Sequence, residues 1–207
     1  MSHVFISYSH SDTDIAIKLI NSLKKLGNNI WVDINDLRPS FIWSEEIEKG
    51  IRGAFAFIYL LSPESIKLSS YCRKEFDFAV KHRKKIIPIL LPSITSTREV
   101  PKDISDYQWL KLEELGIDFS LMSKLQEILE TDFEWAELHS KLTLEAYEWE
   151  KKYERKKIIR LLSQNEINRA KSKFTTTSPD KLPQPTELIK EYIIANEKKH
   201  GWQKRVG

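Results

Sequence analysis

Residues 55–61 read Phe-Ala-Phe-Ile-Tyr-Leu-Leu, a run that stays apolar along almost its whole length. A strand with one wet face would alternate polar and apolar side chains, so this run predicts a parallel strand covered on both faces. Residues 86–91, Ile-Ile-Pro-Ile-Leu-Leu, form a second run of the same kind. Between the two runs, apolar residues recur at helical spacing: Cys72, Phe76, Ala79 and Val80. Two covered strands joined by a helix predict a βαβ unit with a right-handed crossover.

The same alternation continues on both sides of this unit. Toward the N-terminus, residues 4–8 form a short apolar strand, and Ser11-Asp12 is expected to cap the helix that follows. Residues 29–33 predict a second strand, and residues 43–51 predict an amphipathic second helix. On the C-terminal side, residues 106–112 are expected to supply a fifth strand at the edge. The predicted fold class is therefore α/β, with a flavodoxin-like parallel sheet and flanking helices.

The chain changes character at about residue 119, where strand signals stop and the density of charged residues rises. One strong apolar stripe follows at three-and-four spacing: Trp135, Leu138, Leu142, Ala146, Trp149 and Tyr153. Ser163-Gln-Asn-Glu166 is a capping box in front of a further helix, and Thr186 can cap a last one. We therefore expect an α/β domain over residues 1–118 and an all-α extension over residues 119–207.

Composition and charge narrow the functional classes. The 207 residues carry 33 Lys and Arg against 30 Asp and Glu, a net charge of +3 that is too small to argue for a nucleic-acid partner. The single cysteine, Cys72, cannot form an internal disulfide, and no residue spacing indicates a metal site, which favours a reducing, cytoplasmic setting. No run of about 18 uncharged apolar residues occurs, so we expect no membrane span.

In a parallel sheet, ligands bind at the carboxyl ends of the strands, where the strand order reverses. Here that point is expected between the first and third strands, next to Ser7-Tyr8 and Ser62-Pro63. One of the two serines before Tyr71 can cap the next helix, which places Glu75 in its second turn on the same face as Tyr71. We expect Glu75 to be half-exposed there. Such a carboxylate can hold a pair of sugar hydroxyls while the neighbouring ring stacks on a planar base.

Spacing alone leaves a plainer interpretation open for each of these residues. A glutamate on a surface helix is usually only solvated, and Cys72 is more commonly a small core residue than a nucleophile. His10 fits a loop residue better than a general base, and Trp43 fits a helix anchor better than a binding platform. The five histidines suggest no Ser-His-Asp or Cys-His arrangement, and no glycine-rich phosphate loop is present.

At these residues the chain resembles the TIR (Toll/interleukin-1 receptor) domain family, in particular its bacterial branch. The resemblance covers roughly residues 3–92 and rests on five segments in the family's order: Val4-Phe-Ile-Ser-Tyr-Ser9, Trp31-Val-Asp33, Leu61-Ser-Pro63, Ser69-Ser-Tyr-Cys-Arg-Lys-Glu75 and Ile86-Ile-Pro-Ile-Leu-Leu91. Residues 133–195 resemble, less specifically, a helical extension that follows TIR domains in some bacterial signalling proteins. Three positions depart from the family pattern: Tyr71 replaces Trp, Arg38-Pro39-Ser40 stands where Pro-Gly is common, and Gly53-Ala54 replaces Ser-Asp.

The resemblance implies cleavage of NAD+ at the nicotinamide–ribose bond, with Glu75 as the catalytic residue. It also implies a substrate-binding set drawn from strand ends, loops and the third helix: Phe5, Ser7, Tyr8, Asp33, Trp43, Ser62 and Tyr71. NAD+ is then the substrate, and no metal or other cofactor is expected. The alternative is a non-catalytic TIR module that only assembles signalling partners.

The resemblance further implies self-association through the loop of residues 36–43. This loop combines a cation, Arg38, with two exposed-looking apolar residues, Phe41 and Ile42, which are either tucked under the domain or reserved for a partner. In catalytic relatives the corresponding loop reaches a neighbouring copy, which predicts a homo-oligomer or filament. We expect assembly to control activity in bacterial immune defence against phage, with the extension as regulator and a sensor module or partner protein as the trigger.

Overall fold

The computed structural model describes residues 2–32, 45–113, 116–154, 162–176 and 183–206. These residues contain a five-stranded sheet, formed by β1 (His3–Ser7), β2 (Ile30–Val32), β3 (Ala54–Leu61), β4 (Lys85–Leu90) and β5 (Leu110–Lys111). All neighbouring strands are parallel, in the order β2-β1-β3-β4-β5. This is the flavodoxin-like order, so the predicted α/β class is confirmed.

Helices flank the sheet and follow it. Those that alternate with the strands are α1 (Thr13–Lys25), α2 (Glu45–Gly53), α3 (Tyr71–Lys81) and α4 (Lys102–Ser105). Those that follow the last strand are α5 (Phe119–Glu130), α6 (Phe133–Glu154), α7 (Gln164–Thr176) and α8 (Glu187–Val206). Within the part of the chain that the structure describes, no helix is long and apolar enough to cross a membrane.

The boundaries differ from the predicted ones mainly where elements meet. β2 begins at Ile30, one residue later than predicted, and β5 covers only Leu110–Lys111 because a short helix, α4, and the turn after it come before it. α2 continues to Gly53, two residues further than expected, and passes straight into β3 without a loop. Ala54, the first residue of β3, therefore directly follows the last residue of α2.

The sheet is covered on both faces, as its central strand predicts, and every residue of β3 is buried. One face packs against α1 and α5, the other against α2, α3 and α4. α5 thus belongs to the layer that covers the sheet, although residue 119 is where the predicted extension starts. Its leucines recur every four residues and so lie on one side, toward the strands: Leu121, Leu125 and Leu129.

α6 joins this α/β layer to the rest of the extension. One side of α6 carries most of the predicted stripe and packs against α7 and α8 in a third apolar cluster that includes Trp135, Leu142, Ile167, Ala170 and Tyr192. The predicted helix starts are confirmed. Ser163 and Glu166 form a reciprocal capping box before α7, and the Thr186 hydroxyl caps α8.

The other side of α6 lies against the amino ends of β3 and β4. Ser140 Oγ donates to the Ala54 carbonyl at 2.5 Å. Lys84, which is 2% exposed, donates from Nζ to the Arg52 carbonyl at 2.5 Å and lies 3.4 Å from Ser140 Oγ. The extension therefore docks at the amino ends of the strands, whereas such sheets bind ligands at the carboxyl ends.

Gly53 shows why this docking needs a departure from the usual family sequence. A Cβ atom at this position would lie 3.2 Å from His3 Cε1 and 3.2 Å from Leu144 Cδ1 of α6. Ala54, the next residue, is fully buried. A larger polar pair such as Ser-Asp would be crowded and desolvated here, so Gly53-Ala54 leaves room for α6.

Candidate functional site

The carboxyl ends of β1 and β3 lie side by side in the sheet, with Ser7 opposite Tyr59. The strand order reverses here, because β2 lies beyond β1 on one side and β4 lies beyond β3 on the other. Open parallel sheets bind ligands at such a point. The loop after β1, the loop after β3 and the start of α3 therefore surround the candidate site.

Glu75 lies in the second turn of α3. The helix begins after Ser70, whose Oγ accepts a hydrogen bond from the Arg73 amide at 3.0 Å, which confirms one of the two predicted caps. Glu75 is only 3% exposed, so the expectation of a half-exposed side chain is wrong. The reason is that this side of α3, which also carries Cys72 and Phe76, packs against the sheet.

Tyr59 of β3 is close enough to Glu75 for the two side chains to interact electrostatically. Burial raises the pKa of the Tyr59 hydroxyl well above its usual value, and repulsion from Cys72 and, more weakly, from Glu75 adds to this rise. The Tyr59 ring also stacks on Phe76, with the ring centroids 5.4 Å apart. The Glu75 carboxylate thus lies at an apolar wall, where charges are less screened than in water.

Tyr71 lies one helical turn before Glu75 and is 38% exposed. The Lys74 ammonium is 5.0 Å from the centroid of its ring, a cation–π contact at the surface. A partly exposed ring one turn away from a buried carboxylate can stack on a planar base while the carboxylate contacts the attached sugar.

The end of β1 supplies a buried hydroxyl. Ser7 is 1% exposed, and its Oγ has no hydrogen-bond partner among the described residues. Buried polar atoms normally have a partner, so this hydroxyl is suited to meet a polar group of a ligand. Tyr8, the next residue, is half-buried against the cluster on the α1 face. Phe5 is fully buried between Trp31 and Phe57 and has no exposed surface to offer a ligand.

Ser62, at the end of β3, is buried and donates its hydroxyl to Asp12 Oδ2 at 2.5 Å. Asp12 stands at the N-cap position of α1, but its side chain accepts no hydrogen bond from the helix, so the predicted capping role is wrong. The carboxylate turns to Ser62 instead. Burial raises the pKa of Asp12, and the hydrogen bond from Ser62 opposes this rise. Sequence reasoning missed Asp12 as part of the site, although an acidic residue shortly after a strand's carboxyl end was a usable signal.

The plainer interpretations hold for two other residues near the site. His10 is exposed in a short turn of 3-10 helix, His10–Asp12, before α1. Cys72 is buried within the core cluster under α3 and forms no disulfide. Within the described ranges, no three His, Cys, Asp or Glu side chains are grouped closely enough to hold a metal ion.

The remaining predicted site residues lie outside the described residues. Among them are two members of the substrate-binding set, Asp33 and Trp43. The assembly-loop residues Arg38, Phe41 and Ile42 lie in the same segment. Their assignments therefore stay predictions.

Comparison with known proteins identifies relatives of this chain. Residues 4–129 match the family model of the TIR domain. A Brachypodium distachyon protein named "Probable 2′ cyclic ADP-D-ribose synthase" is 30% identical over an alignment of 119 residues, and the match covers 51% of this chain and 53% of that protein. The chain thus spans about half the length of that relative.

Two solved structures share the fold. The TIR domain of a Toll-related receptor from Hydra magnipapillata is 24% identical, with a TM-score of 0.50 over 62% of this chain and 98% of that one. A metazoan TIR-STING receptor from C. gigas, in complex with 2′,3′-cGAMP, is 21% identical, with a TM-score of 0.51 over 69% of this chain and 46% of that one. Identities this low show the fold alone. Because the family model matches residues 4–129, more than half of the chain, this protein belongs to the TIR domain family.

Proposed function

We propose that this protein cleaves NAD+ at the nicotinamide–ribose bond, with Glu75 as the catalytic carboxylate. The observation that carries the proposal is the placement of Glu75: a carboxylate 3% exposed, one turn from a partly exposed tyrosine, beside the point where the strand order reverses. The relative named as a cyclic ADP-D-ribose synthase supports NAD+ chemistry for a TIR domain of this kind.

The chemistry asks little of the protein beyond a well-placed negative charge. Nicotinamide leaves as a neutral ring from a cationic pyridinium, so no general acid and no cofactor are required. The sugar passes through an oxocarbenium-like transition state, which a carboxylate in a poorly screened site stabilises electrostatically. Capture of the sugar carbon by water gives ADP-ribose, and capture by a hydroxyl of the same molecule gives a cyclic product.

Other residues of the site take binding roles in this proposal. The Tyr71 ring stacks on a base of NAD+, and the Ser7 hydroxyl, which has no partner among the described residues, hydrogen-bonds the substrate. Ser62 and Tyr8 border the crevice at the ends of β3 and β1, while Phe5 supports it from inside the sheet. Asp33 and Trp43 complete the binding set.

Assembly is the proposed control. Self-association through Arg38, Phe41 and Ile42 would bring a neighbouring copy to the site, in a homo-oligomer or filament. A buried Cys72 that forms no disulfide fits a cytoplasmic setting, where immune defence by NAD+ depletion or by a nucleotide signal would act. A sensor module or partner protein would trigger the assembly.

The test is release of nicotinamide from NAD+ by purified protein, measured over a range of protein concentrations. The Glu75→Gln variant is expected to lose about 100-fold or more in rate, because it removes the charge but keeps the shape. Glu130→Gln, on the exposed side of α5, is the matched control and should equal the parent. A Glu75→Gln variant as active as the parent would show that Glu75 is not the catalytic carboxylate.

The second candidate function is a TIR interaction module without catalysis. Two exposed apolar side chains that line one groove between α5 and the end of α1 favour it: Phe119 at 88% and Leu26 at 50%. No nicotinamide release at any protein concentration, together with self-association of the same samples, would favour this module over the enzyme.

A further inference from the structure

A buried hydrogen-bond network connects the loop after β1 with the loop after β3. It begins at Asp12, whose carboxylate accepts the Ser62 hydroxyl at 2.5 Å. Ser62 and Ser65 then hold each other reciprocally. The Ser65 amide donates to Ser62 Oγ at 3.2 Å, and the Ser62 amide donates to Ser65 Oγ at 2.9 Å. Both serines are at most 1% exposed, so these bonds are shielded from competing water.

The Ser65 carbonyl carries the network on to α3. It accepts the Ser70 hydroxyl at 2.6 Å and the Tyr59 hydroxyl at 2.6 Å. Ser70 Oγ is also the atom that caps α3 by accepting the Arg73 amide at 3.0 Å. The first turn of α3 is therefore tied through side chains to β3 and, by way of Ser62, to the loop that follows β1.

The Asp12–Ser62 hydrogen bond takes the Asp12 side chain away from the N-terminus of α1, which lowers the stability of that helix end. An N-cap carboxylate that accepts a hydrogen bond from its own helix stabilises that helix, and Asp12 forgoes that bond. It is half-buried instead, beside Glu64, whose charge raises the pKa of Asp12 further. A helix whose first turn is free to shift would move Glu75, and an error of about 1 Å at a reacting group can cost about 100-fold in rate.

We infer that the Asp12–Ser62 hydrogen bond is a positioning contact that holds the start of α3, and with it Glu75, against the end of β1. Asp12 acts through Ser62, Ser65 and Ser70 and does not touch the substrate. The inference rests on the proposed function for its effect on turnover, whereas its effect on α3 can be measured without any activity.

The experiment compares Asp12→Ala, Asp12→Asn and Ser62→Ala with the parent protein. Asp14→Ala, an exposed carboxylate two residues away on α1, is the matched control. The first measurement is hydrogen exchange of the Arg73, Ser62 and Ser65 amides. The second is kcat and KM for nicotinamide release, taken well below the melting temperature of each variant.

Asp12→Ala and Ser62→Ala are expected to speed exchange at these amides and to lower kcat about 10-fold. KM should stay within about twofold of the parent in Asp12→Ala, because Asp12 does not touch the substrate, whereas Ser62→Ala also changes a residue that borders the crevice. Asp12→Asn keeps an oxygen that accepts the Ser62 hydroxyl, so it should stay within about threefold of the parent. The Asp12→Ala/Ser62→Ala double variant should be no slower than either single variant, because both remove the same bond.

Three results would overturn the inference. One is unchanged exchange at Arg73 in Asp12→Ala and Ser62→Ala, whether or not the protein cleaves NAD+. Another is faster exchange with an unchanged kcat, and the third is an equal loss in Asp14→Ala. If the parent releases no nicotinamide but Asp12→Ala and Ser62→Ala still exchange faster than the parent, the positioning contact is supported and the proposed function is overturned instead.

Discussion

Glu75 and Tyr71 lie one turn apart on the same helix, yet their surroundings differ sharply. Glu75 is 3% exposed against the sheet, whereas Tyr71 is 38% exposed at the rim. This division fits their proposed roles, because a charge acts most strongly where water is excluded and a stacking ring must be reachable. Tyr71 is also where the chain departs from the family's usual tryptophan, so the two rings can be compared directly.

We expect Tyr71→Ala to raise KM for NAD+ about 10-fold or more, and Tyr71→Trp to keep it within about threefold, since stacking depends on ring area. Initial rates of nicotinamide release against NAD+ concentration measure both. Leu68→Ala, at a nearby position that is 79% exposed, is the control for loss of surface apolar area. Equal losses in both Tyr71 variants would point to the hydroxyl instead of the ring.

At the scale of elements, α2 packs closely against β2 through a single glycine. The Trp31 indole of β2 stacks on Phe5 of β1 with the ring centroids 4.7 Å apart. Its other side lies against the backbone of α2 at Gly50, where a Cβ atom would come within 2.8 Å of Trp31 Cε2. Real Cβ contacts are never this short, so glycine is what lets β2 and α2 approach each other.

Gly50→Ala should therefore destabilise the protein by about 1–3 kcal/mol, because the contact falls on a rigid ring held from both sides. Urea unfolding followed by tryptophan fluorescence measures this loss. Gly53→Ala is the comparison. Its Cβ would lie 3.2 Å from the nearest atoms of His3 and Leu144, further than the 2.8 Å at Gly50, so we expect a smaller loss there. Stability equal to the parent in Gly50→Ala would mean that Trp31 moves freely.

At the scale of the whole molecule, the extension and the α/β layer share a buried basic junction. His139 of α6 is fully buried, and burial with the charge of Lys84 holds its pKa well below the usual value. Burial and the charges of Arg52, Lys84 and Lys81 lower the pKa of His82 to about 3. Burial and Arg52 lower the pKa of Lys84 itself to about 7. These groups are therefore packed in forms that resist protonation.

The junction predicts how stability depends on pH. Between about pH 3 and 6.5, His82 is protonated in the unfolded chain but neutral in the folded protein. The free energy of unfolding therefore rises as pH rises through this window and decreases as pH falls through it. The same reasoning for Lys84 gives a second rise between about pH 7 and 10.5.

Chemical denaturation at a series of pH values measures both slopes. His82→Gln should reduce the slope in the lower window, where His139 also contributes, and Lys84→Met should flatten the upper window, because each removes a group that titrates there. His10→Gln, at an exposed position, serves as control and should leave both slopes unchanged. A stability that falls between pH 7 and 9 in the parent would contradict the assignment to Lys84.

The helices and strands and their order along the chain could be predicted from the sequence, because they depend on interactions between residues a few positions apart. Three such local patterns are present in the structure: the continuous apolar stretch of β3, the Ser70 cap of α3 and the Ser163–Glu166 capping box. The family resemblance then pointed to Glu75 and Tyr71 on one face of one helix.

Contacts between side chains far apart in the sequence could be read only from the folded structure. Asp12 reads as a helix cap in the sequence, but its partner is Ser62, fifty residues later in the chain. The burial of Glu75 and the docking of Ser140 on Ala54 follow from the packing of α3 and α6 on the sheet. A carboxylate or a carbonyl bonds whichever donor the folded chain brings to it, and spacing along the sequence carries no record of that donor.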